Sequence, residues 1–160
     1  MIKGINRLSL VFLVTLLFLL SGCRRNVIFT DAVLIPGKVW DLDNLVVFSP
    51  EISDTVSFNN IYFNIRTGSA YPFRNIYLFV STTSPKGKTI TDTLQYMLAD
   101  GKGKWYGKGL GDIHELKLPF KSDIYFPNKG KYTISIRHGM RIESLKGVYD
   151  FGLRVEKIKK

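Results

Sequence analysis

The sequence contains one cysteine, Cys23, among its 160 residues. A single thiol cannot close a disulfide within the chain, and it cannot supply the several thiolates of a structural zinc or iron–sulfur site. Because no disulfide can form within the chain, the domain must be stable through packing alone, even in a compartment where disulfides are permitted. Aromatic residues make up 13% of the chain, and their large apolar area favours such packing.

Catalytic and metal-binding signatures are also missing. The two histidines, His114 and His138, stand beside Glu115 and Arg137, which is not the pattern of a zinc site or of a histidine with its orienting carboxylates. No nucleophile elbow and no phosphate-binding loop is present. The acidic residues that could form a glycosidase pair are scattered over separate segments: Asp92, Asp100, Asp112, Glu115 and Asp123. The sequence therefore predicts neither enzyme activity, nor a metal site, nor a noncovalent cofactor.

Acidic residues are few, with 13 Asp and Glu against 23 Lys and Arg and a formal net charge of +10. If residues 1–22 are removed as a signal peptide, two basic residues are lost and the net charge becomes about +8. A basic protein favours anionic partners such as lipid headgroups, acidic glycans or an acidic protein face. Nucleic acid is not expected as a partner, because an exported protein rarely meets it.

Long amphipathic helices are absent, and most of the chain shows the period-two alternation of β-strands. A phase change at Asn59-Asn60 predicts a β-bulge. Residues 76–80 are apolar at odd-numbered and even-numbered positions alike, which predicts a central strand covered on both faces. Residues 138–146 could hold one short helical turn. The predicted strands are residues 46–48, 55–66, 76–80, 89–98, 132–136 and 151–155.

Turn-forming Gly, Pro, Asn and Asp residues separate these segments, with no helices between them. This spacing predicts an all-β fold, a single β-sandwich of jelly-roll or immunoglobulin-like arrangement. We expect residues 1–22 to be a lipoprotein signal peptide and residues 23–38 to be a lipidated tether, part of which docks on the domain as a leading strand. Residues 39–160 are expected to form the sandwich.

The one long hydrophobic run lies at the start of the chain. Residues 8–20 are apolar except for two hydroxyl residues, and basic residues precede them. This run has the length of the hydrophobic region of a signal peptide and is shorter than the ~20 residues of a membrane span. It ends in Leu20-Ser21-Gly22-Cys23, the order of residues in a bacterial lipobox.

A lipobox directs a diacylglyceryl group to the cysteine sulfur, cleavage before the cysteine, and acylation of the freed amine with a fatty acid such as palmitate. Cys23 is thus the predicted lipid-attachment residue, and membrane lipid the predicted partner. Two or three acyl chains hold a protein stably on a bilayer, whereas one binds marginally. The alternatives are an ordinary secretory signal with an accidental cysteine and an uncleaved membrane anchor.

Residues 100–112, which we call the glycine-aromatic loop, are the most unusual stretch. Five glycines surround Trp105 and Tyr106, and Lys104 and Lys108 flank this aromatic pair. These four residues are candidates for binding a protein partner or for stacking on a sugar ring. The structural interpretation is a hairpin in which Trp105 packs as a lid on the sandwich.

Motifs along nearly the whole mature domain resemble those of the gliding motility lipoprotein GldH family. In order and spacing they are Trp40, Phe48, Ser53-Asp54-Thr55, Asn64-Ile65-Arg66, Tyr71-Pro72-Phe73-Arg74-Asn75-Ile76-Tyr77-Leu78-Phe79, Asp92-Thr93-Leu94, Leu98-Ala99-Asp100, Gly103-Lys104-Trp105-Tyr106-Gly107-Lys108-Gly109, Phe126-Pro127, Gly130-Lys131-Tyr132, Gly139-Met140-Arg141, Leu145-Lys146-Gly147-Val148 and Asp150-Phe151-Gly152-Leu153-Arg154-Val155-Glu156.

The resemblance implies a non-catalytic lipoprotein of the bacterial cell envelope that acts in gliding motility and is associated with type IX secretion. Of the functional residues, Cys23 alone carries over. Arg24-Arg25 follows it in place of an acidic run, so we expect an anchor that faces the periplasm, with partners in the motility or secretion machinery. The alternative function is an envelope glycan-binding β-sandwich lipoprotein, which Trp105 and Tyr106 alone would support.

Overall fold

The computed structural model describes residues 26–158, and the predicted lipid-attachment residue Cys23 lies outside them. The described residues contain thirteen β-strands and a 3-10 turn at Pro36–Lys38. The strands are β1 (Val27–Leu34), β2 (Val39–Asp41), β3 (Val46–Phe48), β4 (Glu51–Ile52), β5 (Asn59–Thr67), β6 (Asn75–Thr83), β7 (Thr89–Met97), β8 (Lys108–Leu110), β9 (Ile113–Ile124), β10 (Gly130–Lys131), β11 (Thr133–His138), β12 (Ser144–Lys146) and β13 (Val148–Lys157). Within this part of the chain, no helix is long and apolar enough to cross a bilayer.

Two antiparallel sheets form the sandwich. One has five strands in the order β1-β13-β5-β9-β8, and the other has four in the order β3-β11-β6-β7. Two smaller pairs, β10-β4 and β12-β2, complete the fold. The predicted all-β sandwich is confirmed, and the predicted strands at 46–48, 89–98, 132–136 and 151–155 correspond to β3, β7, β11 and β13.

The core lies between the two sheets, because the apolar residues of each alternating strand share one face. Trp40 is fully buried and bridges the sheets: its ring lies 5.2 Å from Phe151 and 5.8 Å from His138. Burial of each such aromatic or branched side chain contributes about 1.5–3 kcal/mol. The strand residues of the core include Ile61, Phe63, Ile65, Ile76, Leu78, Val80, Leu116, Leu118, Ile134, Ile136, Leu153 and Val155.

β1 lies in a segment that the sequence assigned to the tether. It pairs along β13 from Val27, opposite Glu156, to Leu34, opposite Asp150. The leading-strand interpretation therefore holds for Val27–Leu34, and the predicted domain start at residue 39 lies inside the sandwich. Side-chain burial along β1 is only partial, so Phe29 and Val33, which pack against the core, add a limited apolar contact to the backbone pairing with β13.

β6 and β9 differ from expectation. β6 is an inner strand of its sheet, but Tyr77 on its outer face is 39% exposed, so the prediction that both faces are covered was wrong. β9 has twelve residues and was not predicted, although Leu116 and Leu118 alternate with polar residues. Its Pro119 is tolerated because β8 pairs only with Ile113–Glu115, which leaves the rest of that side of β9 as a sheet edge.

The structure also tests the predicted bulge in β5 and the predicted helical turn at residues 138–146. The register of β5 against β9 shifts between Asn59 and Ile61, which confirms the predicted bulge. The predicted helical turn at 138–146 was wrong. Residues Ser144–Lys146 form β12 instead, because β2 offers them an antiparallel partner.

Candidate functional site

The sandwich has two ends with different loops. The end that we call the amino-terminal pole carries Asn26, Ile158, the end of β9 at Asp123 and Ile124, and the loops 53–58, 84–88 and 125–129. There the backbone nitrogen of Lys157 donates to the Asn26 carbonyl at 2.7 Å, and that of Ile158 donates to Phe58 at 2.9 Å. The opposite end, which we call the loop pole, carries the loops 68–74, 98–112 and 139–143. The glycine-aromatic loop and the start of the sandwich are therefore at opposite ends.

Asp100 organises the first turn of the glycine-aromatic loop. Its Oδ1 accepts hydrogen bonds from the backbone nitrogens of Lys102, at 2.8 Å, and Lys104, at 2.9 Å. These bonds, with that from Lys104 the larger cause, hold the pKa of the Asp100 carboxyl below its usual value. Gly103 has a φ of +82°, which residues with a Cβ rarely adopt, so this turn requires glycine.

Trp105 packs as a lid, as the structural interpretation predicted. It is half-buried and stacks on His114, with ring centroids 5.2 Å apart and an interplanar angle of 13°. The Tyr71 ring meets it edge-on at 6.0 Å. Because His114 lies parallel to the indole, it covers a face that a sugar ring would otherwise use.

Tyr106, Lys104 and Lys108 remain accessible on the same loop. Tyr106 is 63% exposed, although its backbone nitrogen is fixed by a 2.9 Å bond to the Leu98 carbonyl. Both lysines are exposed. The structure thus separates the four candidate residues into one packed side chain, Trp105, and three exposed ones on a well-held backbone.

β8 lies close against β9 because of its glycine. A Cβ at Gly109 would stand 2.0 Å from the Ile113 carbonyl oxygen, a distance that side chains cannot tolerate. The glycines of this loop therefore allow backbone approach at the sheet edge, in addition to turning the chain.

The two histidines lie in different environments. His138 is fully buried beside Trp40, and the backbone of Glu143 and of Trp40 lies close to its ring. Burial lowers the pKa of His138 below its ordinary value of 6.5. His114 is stacked under Trp105. Across residues 26–158, no three His, Asp or Glu side chains cluster as metal ligands would.

Several carboxylates are engaged in ion pairs. Asp92 meets Lys121 at 2.7 Å, and the buried Asp150 forms a close ion pair with Arg66. This pairing raises the pKa of Arg66. These two ion pairs each join two strands, β7 with β9 and β5 with β13.

A cavity of about 490 Å³ opens at the amino-terminal pole, between the edges of β7 and β9. Its walls are mostly apolar, and Lys86 and Lys88 line it together with Ile90 and Tyr125. The buried Oγ1 of Thr82 has no hydrogen-bond partner among the described residues. The apolar wall residues are Ile61, Phe120, Ile124, Phe126, Pro127 and Tyr132.

This pole also exposes apolar side chains that sequence reasoning did not assign to a surface. Val56 is 84% exposed and Tyr125 58% exposed, and the Tyr125 ring lies 6.5 Å from that of Phe58. In the sequence, Val56 and Phe58 lie on the opposite phase of the alternation from Ile61 and Phe63. This phase change predicted the bulge, and the structure shows that Val56 and Phe58 also lie outside β5.

The comparisons with known proteins agree with this fold and its motifs. The profile of the GldH lipoprotein family matches residues 27–155. A gliding motility lipoprotein GldH homolog of Christiangramia forsetii is 34% identical over 154 residues, which cover 92% of this chain and 93% of that protein. The gliding motility lipoprotein GldH of Flavobacterium johnsoniae is 35% identical over 145 residues, which cover 86% of this chain and 89% of that protein. The chain belongs to the GldH lipoprotein family.

Proposed function

We propose that this protein is a non-catalytic accessory component of the gliding motility machinery, associated with type IX secretion. Cys23 carries the diacylglyceryl and N-acyl lipid and anchors the sandwich so that it faces the periplasm. The observation that carries the proposal is the similarity, over most of the chain, to relatives named gliding motility lipoproteins. The sole cysteine stands at the end of the lipobox pattern, in agreement with an anchor of this kind.

A lipid anchor confines the sandwich to two dimensions, which raises its effective concentration near membrane partners. The strands then carry the glycine-aromatic loop to the far end of the domain. Tyr106 is exposed there between Lys104 and Lys108, and an aromatic side chain flanked by cations suits an acidic protein surface. We propose these three residues as the partner-binding site.

The non-catalytic assignment is supported by the placement of the titratable groups. His138 is sealed in the core, and His114 packs flat beneath Trp105. General acid–base catalysis needs such groups in contact with a substrate. The positions they hold instead serve packing.

The first experiment is a crosslinking pull-down from native envelope membranes with the wild type and Cys23→Ala. We expect motility or secretion proteins to be recovered with the wild type and lost with Cys23→Ala, which should also be mislocalised. Normal membrane retention of Cys23→Ala would contradict lipid attachment at this residue.

A second pair of variants tests the binding site without touching the anchor. Lys104→Glu with Lys108→Glu should reduce partner recovery, because two favourable charges become repulsive. The matched control, Arg141→Glu with Lys146→Glu, reverses the same number of charges at the same pole outside the loop. Equal losses in both double variants would refute the assignment of the loop.

The glycan-binding alternative has less support from the geometry. Stacking on a sugar requires a free aromatic face, and one face of Trp105 is covered by His114. Tyr106 alone of the pair keeps an accessible ring. This alternative stays a prediction, and a Trp105 variant tests it below.

A further inference from the structure

The start of the sandwich lies close to the predicted anchor. Asn26 is the third residue after Cys23 in the sequence, and three residues span at most about 10 Å. Backbone pairing begins at once, since Val27 lies opposite Glu156 in the five-stranded sheet. If Cys23 is at the bilayer surface, the amino-terminal pole is therefore the part of the domain nearest to the lipid.

This pole presents apolar side chains to solvent on two separate loops. Val56 stands on one loop and Tyr125 on another, at 84% and 58% exposure. The hydrogen bond from the Ile158 backbone nitrogen to the Phe58 carbonyl holds the first loop beside the end of β13. Aromatic side chains with one polar end are well suited to the interface between headgroups and acyl chains.

The unpaired charge of this pole is mostly positive, although the exposed Asp123 is also without an ion pair among residues 26–158. Lys86, Lys88 and Lys129 are exposed, and among residues 26–158 no carboxylate lies within ion-pair distance of them. By contrast, Asp54 is held by Lys157 at 2.7 Å, which is the largest of the causes that lower the pKa of Asp54 far below its usual value. The pole thus offers unpaired cations while one of its carboxylates is already neutralised.

The chain that adjoins this pole adds charge of the same sign. Arg24-Arg25 precedes Asn26 and Lys159-Lys160 follows Ile158 in the sequence. Near an anionic membrane each basic residue strengthens binding, and the attraction falls off within a Debye length.

We propose that the amino-terminal pole docks directly on the headgroup layer of an anionic phospholipid bilayer. Val56 and Tyr125 enter the interface, and Lys86, Lys88 and Lys129 meet lipid phosphates. This proposal rests on the proposed lipid attachment at Cys23, which brings the pole to the membrane. Docking sets the sandwich upright, with β1 and its neighbours leading away from the bilayer and the glycine-aromatic loop at the far end.

The test measures the depth of single labels on the lipidated protein in vesicles. The acylated sulfur of Cys23 leaves no free thiol, so a cysteine placed by Val56→Cys or by Tyr106→Cys can be labelled alone with a fluorophore. The protein is reconstituted into phosphatidylcholine vesicles with and without phosphatidylglycerol, doped with nitroxide-labelled lipid. We expect quenching at position 56 on anionic vesicles, weakened by salt, and none at position 106.

The two proposals fail in different ways. Vesicle-bound protein whose label at position 56 stays in water overturns docking and leaves the anchor intact. Protein that leaves the vesicles, with a reactive thiol at Cys23, overturns the lipid attachment instead.

Charge variants provide an independent check. The triple variant Lys86→Glu, Lys88→Glu, Lys129→Glu should lower the ratio of docked to undocked protein by about fivefold per lysine or more. The matched control reverses three charges of the loop pole, Lys102→Glu, Arg141→Glu and Lys146→Glu, and should leave quenching at position 56 unchanged. An equal loss in the control would show attraction by overall charge and overturn a specific docking face.

Discussion

The two poles of the sandwich differ in the side chains that their loops expose. At the loop pole, aromatic contacts cover Trp40 and Trp105, and the carboxylate of Asp100 holds a tight turn. At the amino-terminal pole, Val56 and Tyr125 are exposed on two loops beside a cavity with mostly apolar walls. Cavities lie at both poles, among them one of about 560 Å³ lined by Phe73, Tyr77 and Met140 at the loop pole. The poles therefore differ in the apolar side chains that the amino-terminal loops expose, not in how completely each pole is filled.

The same kinds of residue therefore have different roles at the two ends. Tyr71 at the loop pole is buried, and burial raises its pKa strongly because the phenolate would be desolvated. Tyr125 at the other pole is largely exposed. Aromatic content alone does not distinguish a core residue from a contact residue, but burial does.

The largest expected effect compares one aromatic residue from each pole. Trp40→Ala should lower the free energy of unfolding by about 3–5 kcal/mol, because it leaves a cavity between the sheets. Tyr125→Ala should change it by less than about 1 kcal/mol, since most of the side chain is already in solvent. Urea denaturation of both variants measures the difference. Similar losses would show that the amino-terminal pole is as well packed as the loop pole.

The next comparison lies within the glycine-aromatic loop. Trp105→Ala should cost about 2 kcal/mol, below the range for a fully buried tryptophan, because the ring is half-buried on His114 and Tyr71. The melting temperature should fall by several degrees. Tyr106→Ala should leave it nearly unchanged. Loss of polysaccharide binding in Trp105→Ala at an unchanged melting temperature would instead favour the glycan-binding alternative.

A smaller effect is expected from the ion pairs of the two poles. Arg66→Met leaves the buried Asp150 without its partner and should cost about 1–2 kcal/mol, a value between those of exposed and buried pairs because Arg66 is partly exposed. Lys157→Met breaks the exposed pair with Asp54 and should have little effect on stability. Thermal melting at low and high salt separates the two. A larger loss in Lys157→Met would reverse the comparison.

The smallest effect is a pH dependence that originates at the loop pole. His138 has a lowered pKa in the folded state because it is buried. The unfolded chain therefore binds a proton that the folded chain does not, and stability should fall as the pH is lowered through 6.5. His138→Phe should flatten this slope in urea titrations between about pH 7 and 5.

Carboxylates act in a different pH window. Asp100 and Glu156 have lowered pKa values, the first from backbone hydrogen bonds and the second chiefly from Arg154. Their stabilisation is lost only below their ordinary values of 3.8 and 4.5. An unchanged slope near pH 6 in His138→Phe would show that another group causes it.

Sequence reasoning identified the elements whose side chains alternate strictly. β11 alternates between buried and partly exposed residues, and β13 buries Phe151, Leu153 and Val155 on its core face. Both strands lie inside their sheets. Such strands are held by apolar burial, which a sequence displays directly. β9 shows a similar pattern at Leu116 and Leu118 but was missed beside Pro119, because a proline counts against a central strand and is permitted at an edge.

For β1, the sequence predicted only that part of residues 23–38 docks on the domain as a leading strand. Its residues are only partly buried, and it is held by hydrogen bonds to β13, which any sequence of suitable shape can form. The amino-terminal pole was missed, since Val56 and Tyr125 are far apart in sequence and meet the same surface only after folding.

The sequence by itself determined the fold class, the lipobox and the family resemblance, because these depend on local order: alternation along strands, a leader before Cys23, and motifs in fixed succession. Only the tertiary structure decided that Trp105 is packed while Tyr106 is exposed, and that the start of β1 and the glycine-aromatic loop lie at opposite poles. The physical reason is that burial and charge pairing arise between residues distant in the chain, and β-sheet pairing brings those residues together in a way that no local pattern specifies.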